Sequence, residues 1–129
     1  MSFLLPSVLD TEEISANLLN FHANYDILLF INSMEWNSYK ERVALITGSS
    51  RGIGNAIARK FALSGADVIV NYRKAGGRSQ EQGEHLCKEI EEMGRRAFLI
   101  QADISVKESV RALFKEIRER CGRLDFLIL

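Results

Sequence analysis

From Val43 onward the chain alternates short apolar runs with longer amphipathic stretches, and this alternation constrains its fold more than any other feature. The apolar runs are Val43–Thr47, Asp67–Asn71, Ala97–Gln101 and Asp125–Leu129, of a length that suits buried strands. Helical periodicity fills the gaps, over about Ile53–Ser64, Ser79–Met93 and from Ser105 to Cys121. The first helix predicts an inward face of Ile53, Ile57 and Phe61, and the second one of Leu86, Ile90 and Met93. The third carries Val106, Val110, Leu113, Ile117 and Cys121, with Phe114 beside them. Gly65, Gly94 and Gly122 stand as C-terminal stops, and Ser105 with Glu108 has the spacing of a capping box. Strands joined by helices of this size are parallel, because a parallel pair needs such a crossover. Right-handed crossovers wind them into a doubly wound α/β half-Rossmann unit with strand order 3-2-1-4. A nucleotide would lie across the carboxyl ends, near the switch between the first and fourth strands.

The connection after the first strand reads Thr47-Gly48-Ser49-Ser50-Arg51-Gly52-Ile53-Gly54. Glycine permits the positive φ angles of a tight turn and leaves no Cβ to meet a phosphate. The helix opening at Ile53 aims its unpaired amides and positive dipole end at the same place. Together these features read as a pyrophosphate-binding turn. The glycines fall as G-x-x-x-G-x-G instead of the common G-x-G-x-x-G, and Gly52 is not followed by the Lys-Ser/Thr of a P-loop. ATP and GTP are therefore disfavoured. The plainer alternative is a glycine-rich strand-to-helix connection that binds nothing.

On this turn the sequence resembles the short-chain dehydrogenase/reductase family, whose T-G-x-x-x-G-x-G pattern it reproduces in full. The resemblance runs from about Lys40 to Leu129 and covers the amino-terminal half of that fold. It implies a dinucleotide held by Thr47, Gly48, Ser50, Arg51, Gly52, Ile53 and Gly54, with the Thr47 hydroxyl bracing the turn. Asp103, in Gln101-Ala102-Asp103-Ile104, matches the family aspartate that accepts from the adenine amino group, while the Ile104 amide reaches the ring. Asp103 also reads as a simple polar residue before the Ser105 cap. The stretch Val70-Asn71-Tyr72-Arg73 leans toward acyl-carrier-protein reductases within the family.

About twenty residues past the turn, dinucleotide-binding domains usually place an acid on the adenosine ribose. Here Tyr72 takes that position and Arg73 and Lys74 follow, with Arg51 directed at the same region. A guanidinium pairs bidentately with a 2′-phosphate, which an acid would repel. One charged contact is worth about 1.5–3 kcal/mol, so the expected cofactor is NADP(H). Arginines solvated at the surface are the alternative.

The family moves hydride between nicotinamide and a carbonyl, alcohol or enoyl carbon, using a serine and a tyrosine in Y-x-x-x-K. Tyr25, Tyr39 and Tyr72 are followed four positions on by Leu29, Val43 and Gly76, so no catalytic residue is assigned. The expectation is a cofactor-binding part, truncated after its fourth strand and inactive alone. The substrate of the full-length protein would be a small molecule or an acyl group on a carrier. A non-enzymatic nucleotide-binding or interaction module built on half the fold is the second reading. His22 and His85 have no nucleophile partner, and surface placement is expected for both.

Composition narrows the rest. All 17 Lys and Arg lie at Lys40 or later, so the first 33 residues carry −4 and the remainder +4. Residues 1–39 are read as an N-terminal extension and linker, with a helix from Asp10 to about Phe21 and a strand from Tyr25 to Ile31. Met34 stands near where family members begin, which makes residues 1–33 an appended or upstream-read segment. The acidic start does not suit a secretory or organelle signal, and no stretch there is long enough to span a bilayer. A formally neutral chain gives no sign of nucleic-acid binding. Cys87 and Cys121 lack metal or disulfide spacing and are read as small buried apolar residues in a reducing cytoplasm. The family resemblance implies a homo-oligomer for the full-length protein. The isolated chain is expected to self-associate through an apolar fourth strand at the sheet edge.

Overall fold

A computed structural model describes residues 38–129. The helix expected at Asp10–Phe21, the strand at Tyr25–Ile31, His22 and the boundary at residue 33 lie outside the described residues. The elements run β1 (Val43–Ile46), α1 (Gly52–Leu63), β2 (Asp67–Tyr72), α2 (Arg78–Glu92), β3 (Ala97–Gln101), α3 (Lys107–Cys121) and β4 (Phe126–Ile128). All four strands are parallel and ordered β3-β2-β1-β4, as the alternation predicts. In register, Ala44 lies between Val68 and Phe126.

The apolar runs are unbroken because helices lie on both sheet faces, as in parallel sheets generally. Ala44, Ile46, Val68 and Val70 face α1 and α2, meeting Ala58, Ala62, Leu86 and Ile90. Val43, Leu45, Ile69 and Ile100 face α3, meeting Leu113 and Ile117. Leu86 and Ile90 are wholly buried, and each such side chain contributes about 1.5–3 kcal/mol. Tyr39 seals the α1 face at its β4 end by packing on Phe61 and Phe126, ring centroids 5.6 and 4.7 Å away.

Four expectations are corrected. Ile53 is not an inward residue: it is 82% exposed, and Ala58 and Ala62 take the deepest positions in α1. The helix runs antiparallel to the strands, so its first turn overhangs their carboxyl ends and has no sheet beneath it. Ser105 and Glu108 do not form a capping box. The helix begins two residues later with Val106 at its cap and no side-chain cap bond; Ser105 instead belongs to a local turn ahead of the helix, its amide and hydroxyl both donating to the Asp103 carboxylate at 3.0 and 2.6 Å. Val106, counted in the stripe, is accordingly exposed. Cys87 is buried as expected while Cys121 is only half-buried, and both are free thiols. Burial pushes the Cys87 thiol up to about 11, with Glu91 adding to it, which keeps it protonated and unreactive.

The two edge strands are finished differently. On β3, Arg120 donates to the Leu99 carbonyl at 3.3 Å and its guanidinium lies over the Phe98 ring. Asp125 leads into β4 and ties it to β1: its carboxylate accepts from the Val43 amide at 2.8 Å and from Arg42 and Arg123. Among the described residues no helix is long and apolar enough to cross a membrane.

Candidate functional site

The glycine turn connects β1 to α1 at the carboxyl end of the sheet, with hydrogen bonds to both strands that flank β1. Gly48 and Gly52 have φ of 61° and 63°, a region that costs other residues roughly 1–2 kcal/mol. A Cβ built on Gly52 meets no atom within 4 Å, so the backbone there borders open space. Gly54 answers a different need. Its φ is ordinary, but a Cβ would stand 2.7 Å from the Gly48 carbonyl oxygen and 2.9 Å from the Ser49 Cα. The first turn of α1 therefore sits directly on the connection it follows.

Asn71, at the end of β2, holds this turn in place. It is 2% exposed. Its side-chain oxygen accepts from the Gly48 amide at 3.0 Å, and its side-chain nitrogen donates to the Ile100 and Ala102 carbonyls at 3.2 and 3.3 Å. Its backbone amide donates to the Ser49 hydroxyl, and its carbonyl accepts from the Ser49 amide, both at 3.1 Å. One residue thus fastens the turn to the ends of β2 and β3. No motif in the sequence marks Asn71 for this role. The available signal was an amide side chain at the end of the apolar Val68-Ile69-Val70 run, since a buried polar group there needs partners.

Thr47 braces the other side: its amide and hydroxyl both donate to the Ile128 carbonyl, at 2.9 and 3.3 Å. Ser50 is buried and its hydroxyl shares a hydrogen bond with that of Ser79 at the start of α2, 2.9 Å away. The Ser50 carbonyl accepts from the Asn55 side chain at 3.2 Å. No side chain caps α1 and no acid lies in its first turn, so its first amides and dipole face outward uncompensated. Arg51 is exposed and lines a cleft of about 310 Å³ between α1 and α2, together with Asn55, Arg59, Gln82 and His85. His85 is exposed there and pairs with Glu89 at 3.0 Å.

The remaining predicted residues cluster at the ends of β2 and β3. Tyr72 closes β2 and is nearly buried, whereas Arg73 turns outward. Arg73 Nε meets Asp103 Oδ2 at 3.2 Å, so two residues thirty apart in sequence are brought into one ion pair. The other carboxylate oxygen accepts from the Ser105 amide at 3.0 Å and hydroxyl at 2.6 Å. These Ser105 bonds, with Arg73 behind them, hold the Asp103 carboxyl below the usual carboxylate range. Ile104 is half exposed beside it. Among the described residues no three His, Cys, Asp or Glu side chains group together as metal ligands.

The arrangement is a turn pinned to the ends of β2, β3 and β4, with Arg51 at the cleft between α1 and α2 and Arg73 at the ends of β2 and β3. It matches known proteins over the same residues. The short chain dehydrogenase family model covers residues 42–129. The 1-cyclohexenylcarbonyl-CoA reductase of Streptomyces collinus is 44% identical over 69% of this chain and 30% of that protein. A 3-oxoacyl-[acyl-carrier-protein] reductase of Staphylococcus aureus is 44% identical over 66% of this chain and 33% of its own length. A short chain dehydrogenase from Burkholderia cenocepacia, solved in complex with NADP, superposes with a TM-score of 0.64 at 42% identity, over 70% of this chain and 36% of that one. The chain thus spans 30 to 36% of the length of these proteins. It belongs to the short chain dehydrogenase family.

Proposed function

We propose that residues 40–129 form the NADP(H)-binding half of a short-chain oxidoreductase. The observation that carries this reading is the turn fixed by Asn71, with the uncapped start of α1 beside it. The Thr47, Gly48 and Ser49 amides are engaged by Ile128 and Asn71, so the amides of residues 50–54 would hold the diphosphate, with Gly52 giving the backbone close approach and Ser50 and Ile53 bordering it. Arg51 and Arg73 would meet a 2′-phosphate, and Tyr72 would flank the ribose. Asp103 and the Ile104 amide would take the adenine. The crystallised Burkholderia relative with NADP, and a blue fluorescent protein from a metagenomic library, solved with NADPH at a TM-score of 0.66 and 38% identity, support the choice of cofactor.

Bound nicotinamide supplies the hydride donor or acceptor for a carbonyl, alcohol or enoyl substrate. The residues described here grip and orient the dinucleotide; none is assigned to proton transfer, and this chain is expected to bind without turnover. The reductase names of the relatives favour a small-molecule or carrier-bound acyl substrate for the whole protein, and the family resemblance implies a homo-oligomer.

Calorimetric titration with NADP+ tests the reading. Wild-type chain should bind, and Gly54→Ala should lose binding, because its Cβ displaces the Gly48 carbonyl and the turn with it; such overpacking typically costs about 1–3 kcal/mol. Absence of binding by the wild type, or full binding by Gly54→Ala, would refute it.

A further inference from the structure

Building on the nucleotide reading above, we propose that Asp103 is a specificity-determining residue that competes with a 2′-phosphate for Arg73. It thereby holds the preference for NADP over NAD below what Arg73 alone would give. The two members of the Arg73–Asp103 pair are not equally free. Asp103 is fixed from several sides: Ser105 donates twice to Oδ1, and the Asp103 amide donates to the Ser109 hydroxyl at 2.9 Å. The Arg73 backbone is also fixed, its carbonyl accepting from Gln101 at 3.1 Å, but its side chain is 81% exposed. The flexible guanidinium has come to the stationary carboxylate, at 3.2 Å.

A dinucleotide with a 2′-phosphate brings about two negative charges to this flank near neutral pH. That group attracts the guanidinium that Asp103 already engages. With a 2′-hydroxyl there is no such rival, and Arg73 stays on Asp103. Any contact between Asp103 and adenine is common to both nucleotides, so losing it weakens both alike. Only the competition for Arg73 changes their ratio.

The experiment compares dissociation constants of NADP+ and NAD+ by calorimetry for the wild type, Asp103→Asn, Arg73→Ala and the double variant. Asp103→Asn should raise the NADP:NAD affinity ratio about twofold to fivefold, the span carried by exposed ion pairs. In the Arg73→Ala background the same substitution should leave the ratio unmoved. An unchanged or lower ratio in Asp103→Asn overturns the inference. So does an equal rise in both backgrounds, which would mean direct repulsion of the phosphate without Arg73. Asp103→Ser, another short polar residue, repeats the test should the asparagine variant fold poorly. If the wild type binds neither nucleotide, the reading under Proposed function fails and this inference with it. If it binds NADP+ and only the ratio stays put, the inference alone fails.

Discussion

The two faces of the sheet use similar strand residues and reach different ends. On one, α1 and α2 lie side by side, and the Tyr39, Phe61 and Phe126 rings close the margin beside β4. On the other, α3 is the helix among the described residues that contributes to the core. There Leu127 is 46% and Leu129 88% exposed. A hollow of about 350 Å³ opens between Leu45, Leu113, Phe114 and Leu127. β4 belongs to both environments, since Phe126 and Ile128 pack under the first while Leu127 points into the second. An apolar pattern alone therefore does not measure stability. What matters is whether a second element covers it.

The sharpest test of that contrast is deletion within each face. Leu86→Ala should cost about 2–5 kcal/mol, whereas Leu127→Ala should cost about 1 kcal/mol or less, having much less area to lose. Urea unfolding of the two variants decides it, and equal losses would mean that the faces are equally well packed.

A second test targets the attachment of β4. Arg123, the Val43 amide and Arg42 together lower the Asp125 carboxyl from its ordinary 3.8 to about 2. A lowered folded-state value stabilises the fold above the unfolded value, and that contribution is lost as pH falls through the folded one. Melting temperature should thus show wild type ahead of Asp125→Asn from neutral pH down to about 4, with the two converging toward pH 2. Parallel curves would show that this carboxylate does not secure β4.

The smallest effect on stability, and a visible one on assembly, is expected from Leu127→Lys. A charge on an apolar edge strand discourages pairing with another chain. Sedimentation should show less self-association than the wild type, with stability lowered by no more than the roughly 1 kcal/mol expected of Leu127→Ala, since the lysine stem keeps part of the apolar contact. Undiminished association would move the sticky surface elsewhere.

Strand order, parallel pairing and the glycine turn were legible because each rests on local pattern: period, length and Gly spacing. Two departures from the sequence pattern share a cause. Ile53 fits a helical stripe by period, but period does not tell where the sheet beneath the helix ends. Ser105 and Glu108 fit a cap by spacing, but the Asp103 carboxylate accepts from both the Ser105 amide and its hydroxyl and draws Ser105 into a turn ahead of the helix. The sequence suggested Arg73 and Asp103 as separate contacts, and only the fold of β2 beside β3 makes them partners. Asn71 went unassigned for the same reason: its partners come from two segments far from it in the chain, Gly48 on one side and Ile100 and Ala102 on the other.

The Asn71 clamp has a consequence for how the turn behaves when a ligand arrives. A surface connection rich in glycine would ordinarily wander, and ordering it would consume part of any association energy. Here a single amide side chain lends the loop the stiffness of the strands behind it. The mould is set beforehand, so an incoming anion gains its contacts without having to shape them.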